Sequence, residues 1–225
     1  MPALNSDTWL VVPLYNEATV VREVIAAARQ NFPNIVCVDD GSRDDSVAEA
    51  LAGGATVVQH PINLGQGAAL QTGIDFALRQ PGAQYFVTFD SDGQHRVEDA
   101  EHMVERLRVE PLDIIVGSRF LDDRTNASAL KKLVLRLAVF FERMSTGVKL
   151  TDAHNGLRAL NRTAATKIRI TQNRMAHASE IVAQIGKQKL RYAEEAVQII
   201  YTDYSRAKGQ SLWNSVNILS ELFIK

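Results

Sequence analysis

Two aspartates, Asp90 and Asp92, follow the apolar run at residues 85–89 and carry the clearest chemistry in the chain. In an extended strand, side chains alternate between faces, so residues two apart point the same way. Two carboxylates held side by side repel each other, and a divalent cation relieves that repulsion while bridging protein and phosphate. The pair therefore predicts a cation site, with Gln94 as a further ligand, although a solvated Asp-rich turn has the same residue types.

Four other short apolar runs also end in residues suited to ligand binding, Pro13-Leu14-Tyr15-Asn16-Glu17, Asp39-Asp40-Gly41-Ser42, Asn63-Leu64-Gly65-Gln66-Gly67 and Gly117-Ser118-Arg119-Phe120. A carboxylate of the Asp39–Asp40 pair could accept the ring N–H of a nucleotide base. The alternative is an ordinary turn in which Ser42 caps the next helix. Gly65 and Gly67 would let the backbone approach a nucleoside, and the guanidinium of Arg119 could bind a phosphate. A dinucleotide-binding fingerprint is disfavoured, because Leu70 stands where its third glycine would be and the loop after the first strand has no glycine.

The elements that would position these loops alternate along the chain. Strands are predicted at residues 9–13, 35–39, 56–59, 84–90 and 113–118, with helices near 18–30, 44–52, 67–79 and 97–109. This alternation is typical of βαβ units, and it predicts an α/β fold with a mostly parallel central sheet flanked by helices. Because ligands bind at the carboxyl ends of such strands, the five loops should form one site.

Composition limits the class of protein. The chain has 225 residues, a net charge of −1 and a single cysteine, Cys37. These values suit one globular domain in a reducing compartment, without an intramolecular disulfide, and give no indication of nucleic-acid binding. No secretory signal and no span of about 18 apolar residues is present, so we expect a cytoplasmic protein with at most peripheral membrane contact.

The ordered set of motifs resembles the family 2 inverting glycosyltransferases, and most closely the branch that makes polyprenyl-phosphate sugars, which includes dolichol-phosphate mannose synthase. The resemblance implies the GT-A fold, a nucleotide-diphosphate-sugar donor and Mg²⁺ or Mn²⁺. It also implies a single domain over residues 1–225, with a nucleotide-sugar half at 1–120 and an acceptor half at 121–225.

Site residues implied by this resemblance follow the motifs. In the nucleotide-sugar site, Asp40 would read the base with Asp39 beside it, and Asp90 would sit near ribose and metal, while the remaining contacts would come from Pro13, Tyr15, Glu17, Gly65, Gly67 and Ser91. Asp92 would be the main metal ligand, with Gln94 in support, and Arg119 would face the acceptor phosphate or the diphosphate.

Residues in the second half of the chain indicate which acceptor receives the sugar. The stretch from Asp152 to Arg158 resembles the Asp-x-x-x-Gly-Phe-Arg motif of the branch, with Leu157 in place of phenylalanine. A sugar hydroxyl must lose a proton as it attacks, so Asp152 would then act as general base. A polyprenyl phosphate is already an anion and needs no base, so Asp152 would instead position the sugar or the loop. We favour the second interpretation.

Two basic segments complete the expected site. Arg206 and Lys208, in a glycine-containing loop, would neutralise the leaving diphosphate. A helix at residues 130–144 places apolar residues on one face, with Lys132 and Arg136 on the other. That is typical of a helix at the membrane interface, although a core-facing helix is the alternative. Contact with a small membrane-protein partner at the inner face of the cell membrane is a further expectation.

The preferred function is inverting transfer of a hexose or N-acetylhexosamine from a nucleotide-diphosphate sugar to a polyprenyl phosphate. Uracil and guanine both present a ring N–H to Asp40, so this contact does not separate UDP from GDP donors. UDP is favoured over GDP by resemblance to bacterial relatives. The alternative is extension of a cell-surface glycan on a sugar hydroxyl. A nucleotidyltransferase is disfavoured by the absence of a Gly-rich first loop, and a non-catalytic binding subunit is disfavoured by the complete motifs.

Overall fold

The computed structural model describes residues 5–121 and 147–200, which form one seven-stranded sheet with helices on both faces. The strands are β1 (Thr8–Leu14), β2 (Asn34–Asp39), β3 (Thr56–Gln59), β4 (Tyr85–Thr88), β5 (Ile114–Ser118), β6 (Arg158–Asn161) and β7 (Tyr192–Ala196). The helices are α1 (Val21–Ala28), α2 (Ser46–Gly53), α3 (Gln66–Leu78), α4 (Val97–Val109), α5 (Arg162–Lys167) and α6 (His177–Lys187).

The strand order is β3-β2-β1-β4-β6-β5-β7, and of these seven strands only β6 runs antiparallel to its neighbours. The predicted α/β fold with a mostly parallel sheet is therefore confirmed. From β1 the chain moves outward to β2 and β3, and then returns to place β4 on the other side of β1. Such a reversal opens a crevice between the carboxyl ends of the two strands, where open α/β sheets bind ligands.

Two hydrophobic layers enclose the sheet, because successive side chains of β1 enter opposite faces. Val11 packs with the layer formed by α3, α5 and α6, whereas Leu10 and Val12 pack with the layer formed by α1, α2 and α4. All three side chains are at most 1% exposed. Strands buried on both faces fix the carboxyl-end loops on a rigid support.

One predicted element boundary is wrong in a way that matters for the site. The fourth strand was expected to run to Asp90, but β4 ends at Thr88, and both Asp90 and Asp92 lie in the following turn. The alternation of strand side chains therefore does not explain why the two carboxylates lie close together. The predicted helix at 130–144 and the segment after residue 200 lie outside the described residues. No helix in the described part of the chain is long and apolar enough to cross a membrane.

Candidate active site

The loops after β1 and β2 are linked by hydrogen bonds. The N–H of Asn16 donates to Ser42 Oγ at 2.9 Å, and Asn16 Oδ1 accepts the N–H of Arg43 at 2.9 Å. The N–H of Glu17 donates to Ser46 Oγ at 2.7 Å. Asn16 has a φ of 54°, a left-handed conformation that asparagine adopts more readily than most residues. Glu17 is thereby fixed at the carboxyl edge of the sheet, where it is buried.

Asp39 and Asp40 lie buried at the end of β2. The carboxylate of Asp40 accepts the backbone N–H groups of Leu64 at 2.9 Å and Gly65 at 2.7 Å. It also lies 2.8 Å from Nδ1 of His60. Asp40 thus ties the loop after β3 to the end of β2. The contact with His60 was not predicted, because a histidine at the end of a short strand carries no local signal for it.

Gly65 and Gly67 stand where another part of the chain approaches closely. A Cβ on Gly67 would overlap the carbonyl oxygen of Gln172, and a Cβ on Gly65 would overlap that of Asn173. The N–H of Gly67 donates to the Asn173 carbonyl at 2.8 Å. The close approach seen here is therefore made by the chain itself, and the nucleoside contact of these glycines stays a prediction.

Asp90 is held by neighbours from three separate segments. Its Oδ2 lies 2.9 Å from His95 Nε2, and its Oδ1 accepts Gln66 Nε2 at 3.3 Å. A Cβ on Gly156 would overlap the carboxylate, so glycine is required for Asp90 to lie there. Burial acts to raise the pKa of Asp90, but the charge and hydrogen bond of His95, followed by the charge of Arg158, bring that pKa below its usual value. Asp90 is thus an anion at neutral pH.

Asp92 experiences the electrostatic repulsion expected of a carboxylate close to another carboxylate. It accepts the N–H of Gln94 at 3.0 Å, and its pKa is raised by burial and by the charge of Asp90, with Glu17 adding to the effect. A divalent cation would relieve this repulsion, so the donor set fits Mg²⁺ or Mn²⁺. Within residues 5–121 and 147–200 no three His, Cys, Asp or Glu side chains form a cation site. Asp90 and Asp92 would hold the cation, and the role of Gln94 as a further ligand stays a prediction.

Arg119 and Asp152 form a two-pronged ion pair. Nε and Nη2 of Arg119 donate to the two carboxylate oxygens of Asp152 at 2.6 and 2.8 Å, and the Arg119 backbone N–H adds a third bond at 3.1 Å. Asn155 Nδ2 lies 3.4 Å from the same carboxylate. Burial acts to raise the pKa of Asp152, but the hydrogen bonds and charge of Arg119 hold it below its usual range. Asp152 is therefore an anion at neutral pH, and both of its carboxylate oxygens accept hydrogen bonds from Arg119.

Glu194 on β7 braces the loop that carries Asp152. Its Oε1 accepts the N–H of Thr151 at 2.6 Å, the Thr151 hydroxyl at 2.8 Å and the N–H of Asp152 at 3.2 Å. The Thr151 hydroxyl also lies 2.6 Å from the hydroxyl of Ser118, at the end of β5. Sequence reasoning missed Glu194, because a glutamate in an extended stretch carries no signal for a contact 43 residues away.

Two histidines, the half-buried His154 and the buried His177, interact with the charge of Arg158. Arg158 is 1% exposed and donates to the carbonyl of Ala153 at 3.3 Å. Burial and then the charge of Arg158 lower the pKa of both His154 and His177. Both rings are therefore neutral near pH 7. Sequence reasoning gave neither histidine a role.

The remaining predicted residues fall into two groups. Pro13 is buried within β1, Tyr15 is 43% exposed just after it, and Ser91 is buried between the two aspartates. These three therefore lie at the same edge of the sheet as the carboxylates, and their contact with the nucleotide sugar stays a prediction. Outside the described residues lie Lys132, Arg136, Arg206 and Lys208.

Comparison with known proteins identifies the relatives of this arrangement. Residues 9–169 match the family model described as Glycosyl transferase family 2. An uncharacterised protein of Methanocaldococcus jannaschii is 33% identical over 99% of this chain and 93% of its own length. A UDP-N-acetylglucosamine–dolichyl-phosphate N-acetylglucosaminyltransferase of Methanococcus voltae is 28% identical over 96% of this chain and 94% of its own length.

Solved structures confirm the fold. The glucosyl-3-phosphoglycerate synthase of Mycobacterium tuberculosis superposes with a TM-score of 0.69, over 88% of this chain and 76% of its own. At 18% identity this likeness shows the fold alone. The expected GT-A architecture is thereby confirmed.

Proposed function

The chain belongs to glycosyltransferase family 2, and from that premise we propose that it transfers a hexose or N-acetylhexosamine, with inversion, from a nucleotide-diphosphate sugar to a polyprenyl phosphate. Relatives whose names state such acceptors support the proposal. They include the dolichyl-phosphate enzyme of Methanococcus voltae and a polyprenol monophosphomannose synthase of Mycolicibacterium smegmatis, which is 30% identical over 72% of this chain.

The observation that carries the choice of acceptor is the ion pair between Arg119 and Asp152. A hydroxyl acceptor requires a general base whose pKa lies near the working pH. Asp152 has a lowered pKa and gives its carboxylate to three N–H groups of Arg119. It therefore suits the positioning of a guanidinium better than the removal of a proton. A guanidinium held in this way suits the phosphate of an acceptor that is already charged.

For the donor, we place the diphosphate against Asp90 and Asp92 through Mg²⁺ or Mn²⁺. The cation would withdraw charge from the diphosphate as it leaves. The M. tuberculosis synthase has been solved with Mn²⁺ and UDP-glucose, which is a property of that protein. For this chain the proposal rests on the position of Asp90 and Asp92 in one loop after β4, where burial and the charge of Asp90 raise the pKa of Asp92.

Each of four charged residues then has a separate role in the transfer. Asp152 holds Arg119, which orients the acceptor phosphate toward the anomeric carbon of the sugar. Arg206 and Lys208 stabilise the leaving diphosphate, because their positive charges offset the negative charge that develops on it. Attack from the face opposite the leaving group inverts the configuration, and no proton has to be removed.

We also propose that the reaction takes place at the inner face of the cell membrane. A polyprenyl chain resides in the bilayer, so the enzyme must reach it from the surface. The basic residues Lys132 and Arg136 belong to the segment that we propose to make this contact, either directly or through a small membrane-protein partner.

An acceptor panel tests the proposal. Purified enzyme with Mn²⁺ and radiolabelled UDP- and GDP-sugars is offered undecaprenyl phosphate, undecaprenol or a soluble oligosaccharide. The expected result is label in the organic phase with undecaprenyl phosphate alone, and none with the Asp92→Asn variant. Transfer to the oligosaccharide without transfer to the lipid phosphate would contradict the proposal.

A further inference from the structure

The carboxylate of Asp40 is almost fully used by the protein itself. Oδ1 lies 2.8 Å from His60 Nδ1 and accepts the N–H of Leu64 at 2.9 Å, while Oδ2 accepts the N–H of Gly65 at 2.7 Å. A carboxylate offers about four lone-pair positions. Three are taken by these described neighbours, which leaves about one, on Oδ2. The Asp40 side chain is 5% exposed, so only a small part of it can meet a ligand.

His60 is held in a defined orientation. Its Nε2 lies 2.9 Å from the hydroxyl of Thr72 on α3, and its backbone N–H donates to the Asp39 carbonyl at 2.8 Å. An ionised carboxylate only accepts hydrogen bonds, so Nδ1 must carry the proton that faces Asp40. In the neutral ring Nε2 then accepts from Thr72. Thr72 thereby fixes the tautomer that donates to Asp40.

A single remaining acceptor position discriminates between nucleotide bases. Uracil presents one ring N–H between two carbonyl groups. Guanine presents a ring N–H beside an exocyclic amino group, and these two parallel donors need two acceptor positions. Adenine and cytosine present a ring nitrogen that is itself an acceptor. A buried donor left without a partner costs about 1–3 kcal/mol, which disfavours guanine at this carboxylate.

We infer that the Asp40 cradle selects a uridine-diphosphate sugar over a guanosine-diphosphate sugar, and that His60 is the positioning residue that sets this preference. The inference rests on the proposed function, because it assumes that the end of β2 receives the base. His60 contributes by filling the second position on Oδ1 and by fixing the direction in which Oδ2 points.

Calorimetric titration of the purified enzyme with UDP and with GDP, in the presence of Mn²⁺, tests the inference. The wild type should bind UDP about tenfold or more tightly than GDP, the ratio expected from one unpaired buried donor. His60→Ala should weaken UDP binding and reduce the ratio of the two affinities. His60→Asn should restore most of the ratio, because its Nδ2 can donate from nearly the same place as Nδ1.

Two controls separate positioning from general damage. The Asp39 carboxylate accepts only the N–H of Ser42 among the described side-chain contacts, so Asp39→Asn should weaken both nucleotides to a similar degree. Thr72→Val removes the hydroxyl that fixes the tautomer and should lower the UDP preference, whereas Thr72→Ser should keep it. A structural lesion would instead weaken both nucleotides equally in His60→Ala, His60→Asn and Thr72→Val.

The outcomes distinguish this inference from the proposed function. A wild-type enzyme that binds GDP as tightly as UDP, or a His60→Ala variant with an unchanged ratio, would overturn the inference alone. UDP binding with the expected ratio but without transfer to undecaprenyl phosphate would overturn the proposed acceptor and leave the inference in place.

Discussion

Replacing Asp152 by asparagine separates the two roles considered for this residue. The carboxylate accepts two guanidinium bonds and one backbone bond from Arg119. An asparagine would keep one acceptor oxygen and would turn its amide donors toward the guanidinium. The variant therefore loses one charge-assisted bond and the charge that holds Arg119 in place.

The size of the effect follows from burial. Removing one partner of a buried ion pair costs about 3–5 kcal/mol. The Arg119 side chain is 26% exposed, so water takes over part of the lost interaction. We therefore expect about 2 kcal/mol, which corresponds to a factor of about 30. If Arg119 binds the acceptor phosphate, this loss should raise the KM for undecaprenyl phosphate, while kcat falls by less than about tenfold.

Steady-state kinetics with varied undecaprenyl phosphate at saturating donor measures both parameters. Arg119→Lys is the matched variant, because lysine keeps the charge but cannot make the two-pronged contact. The two variants should have similar effects, and the double variant should be little worse than either. A fall in kcat of about 10²–10⁴ in Asp152→Asn, with an unchanged acceptor KM, would show a general base and refute this reasoning.

Two predictions concern the scaffold. Gly67→Ala should lower the free energy of unfolding by about 3 kcal/mol, since its methyl meets the Gln172 backbone, whereas Gly82→Ala, which meets nothing within 4 Å, should cost only about 1 kcal/mol of φ strain. Equal losses in urea denaturation would contradict this contrast. The hydrogen bonds of Arg191 lower the pKa of Asp113 to about 2, so the pair stabilises the fold above the unfolded pKa near 4 and loses this contribution as the pH falls toward 2. Because Arg191 is 60% exposed, Asp113→Asn should cost only about 1 kcal/mol at pH 7 and almost nothing at pH 2, and a loss independent of pH would be contrary to the expected linkage.

The parts of the fold that were predictable are those set by local pattern. The β3 run from Thr56 to Gln59 and the α4 helix from Val97 to Val109 lie where apolar periodicity placed them. The rule that ligands bind at carboxyl ends then grouped the five loops correctly at one edge of the sheet. Local pattern carries this information because each element is short and its buried face repeats within it.

Contacts between distant segments were not predictable. Arg119 and Asp152 are 33 positions apart in the sequence. Nothing in either motif indicates that the Asp152 carboxylate binds the Arg119 guanidinium. The position of β6 as an antiparallel strand between β4 and β5 likewise follows from tertiary packing. Asp90 and Asp92 were placed together for the wrong reason, since a turn and not a strand brings them close.

The central claim is that the sugar is joined to a lipid phosphate with inversion and without a general base. The most direct test is ³¹P and ¹³C NMR of the lipid product formed from undecaprenyl phosphate and an α-linked UDP-sugar. The account predicts a phosphodiester at the anomeric carbon, shown by phosphorus–carbon coupling, with β configuration. A product joined through a sugar hydroxyl, or one that retains the α configuration, would contradict it.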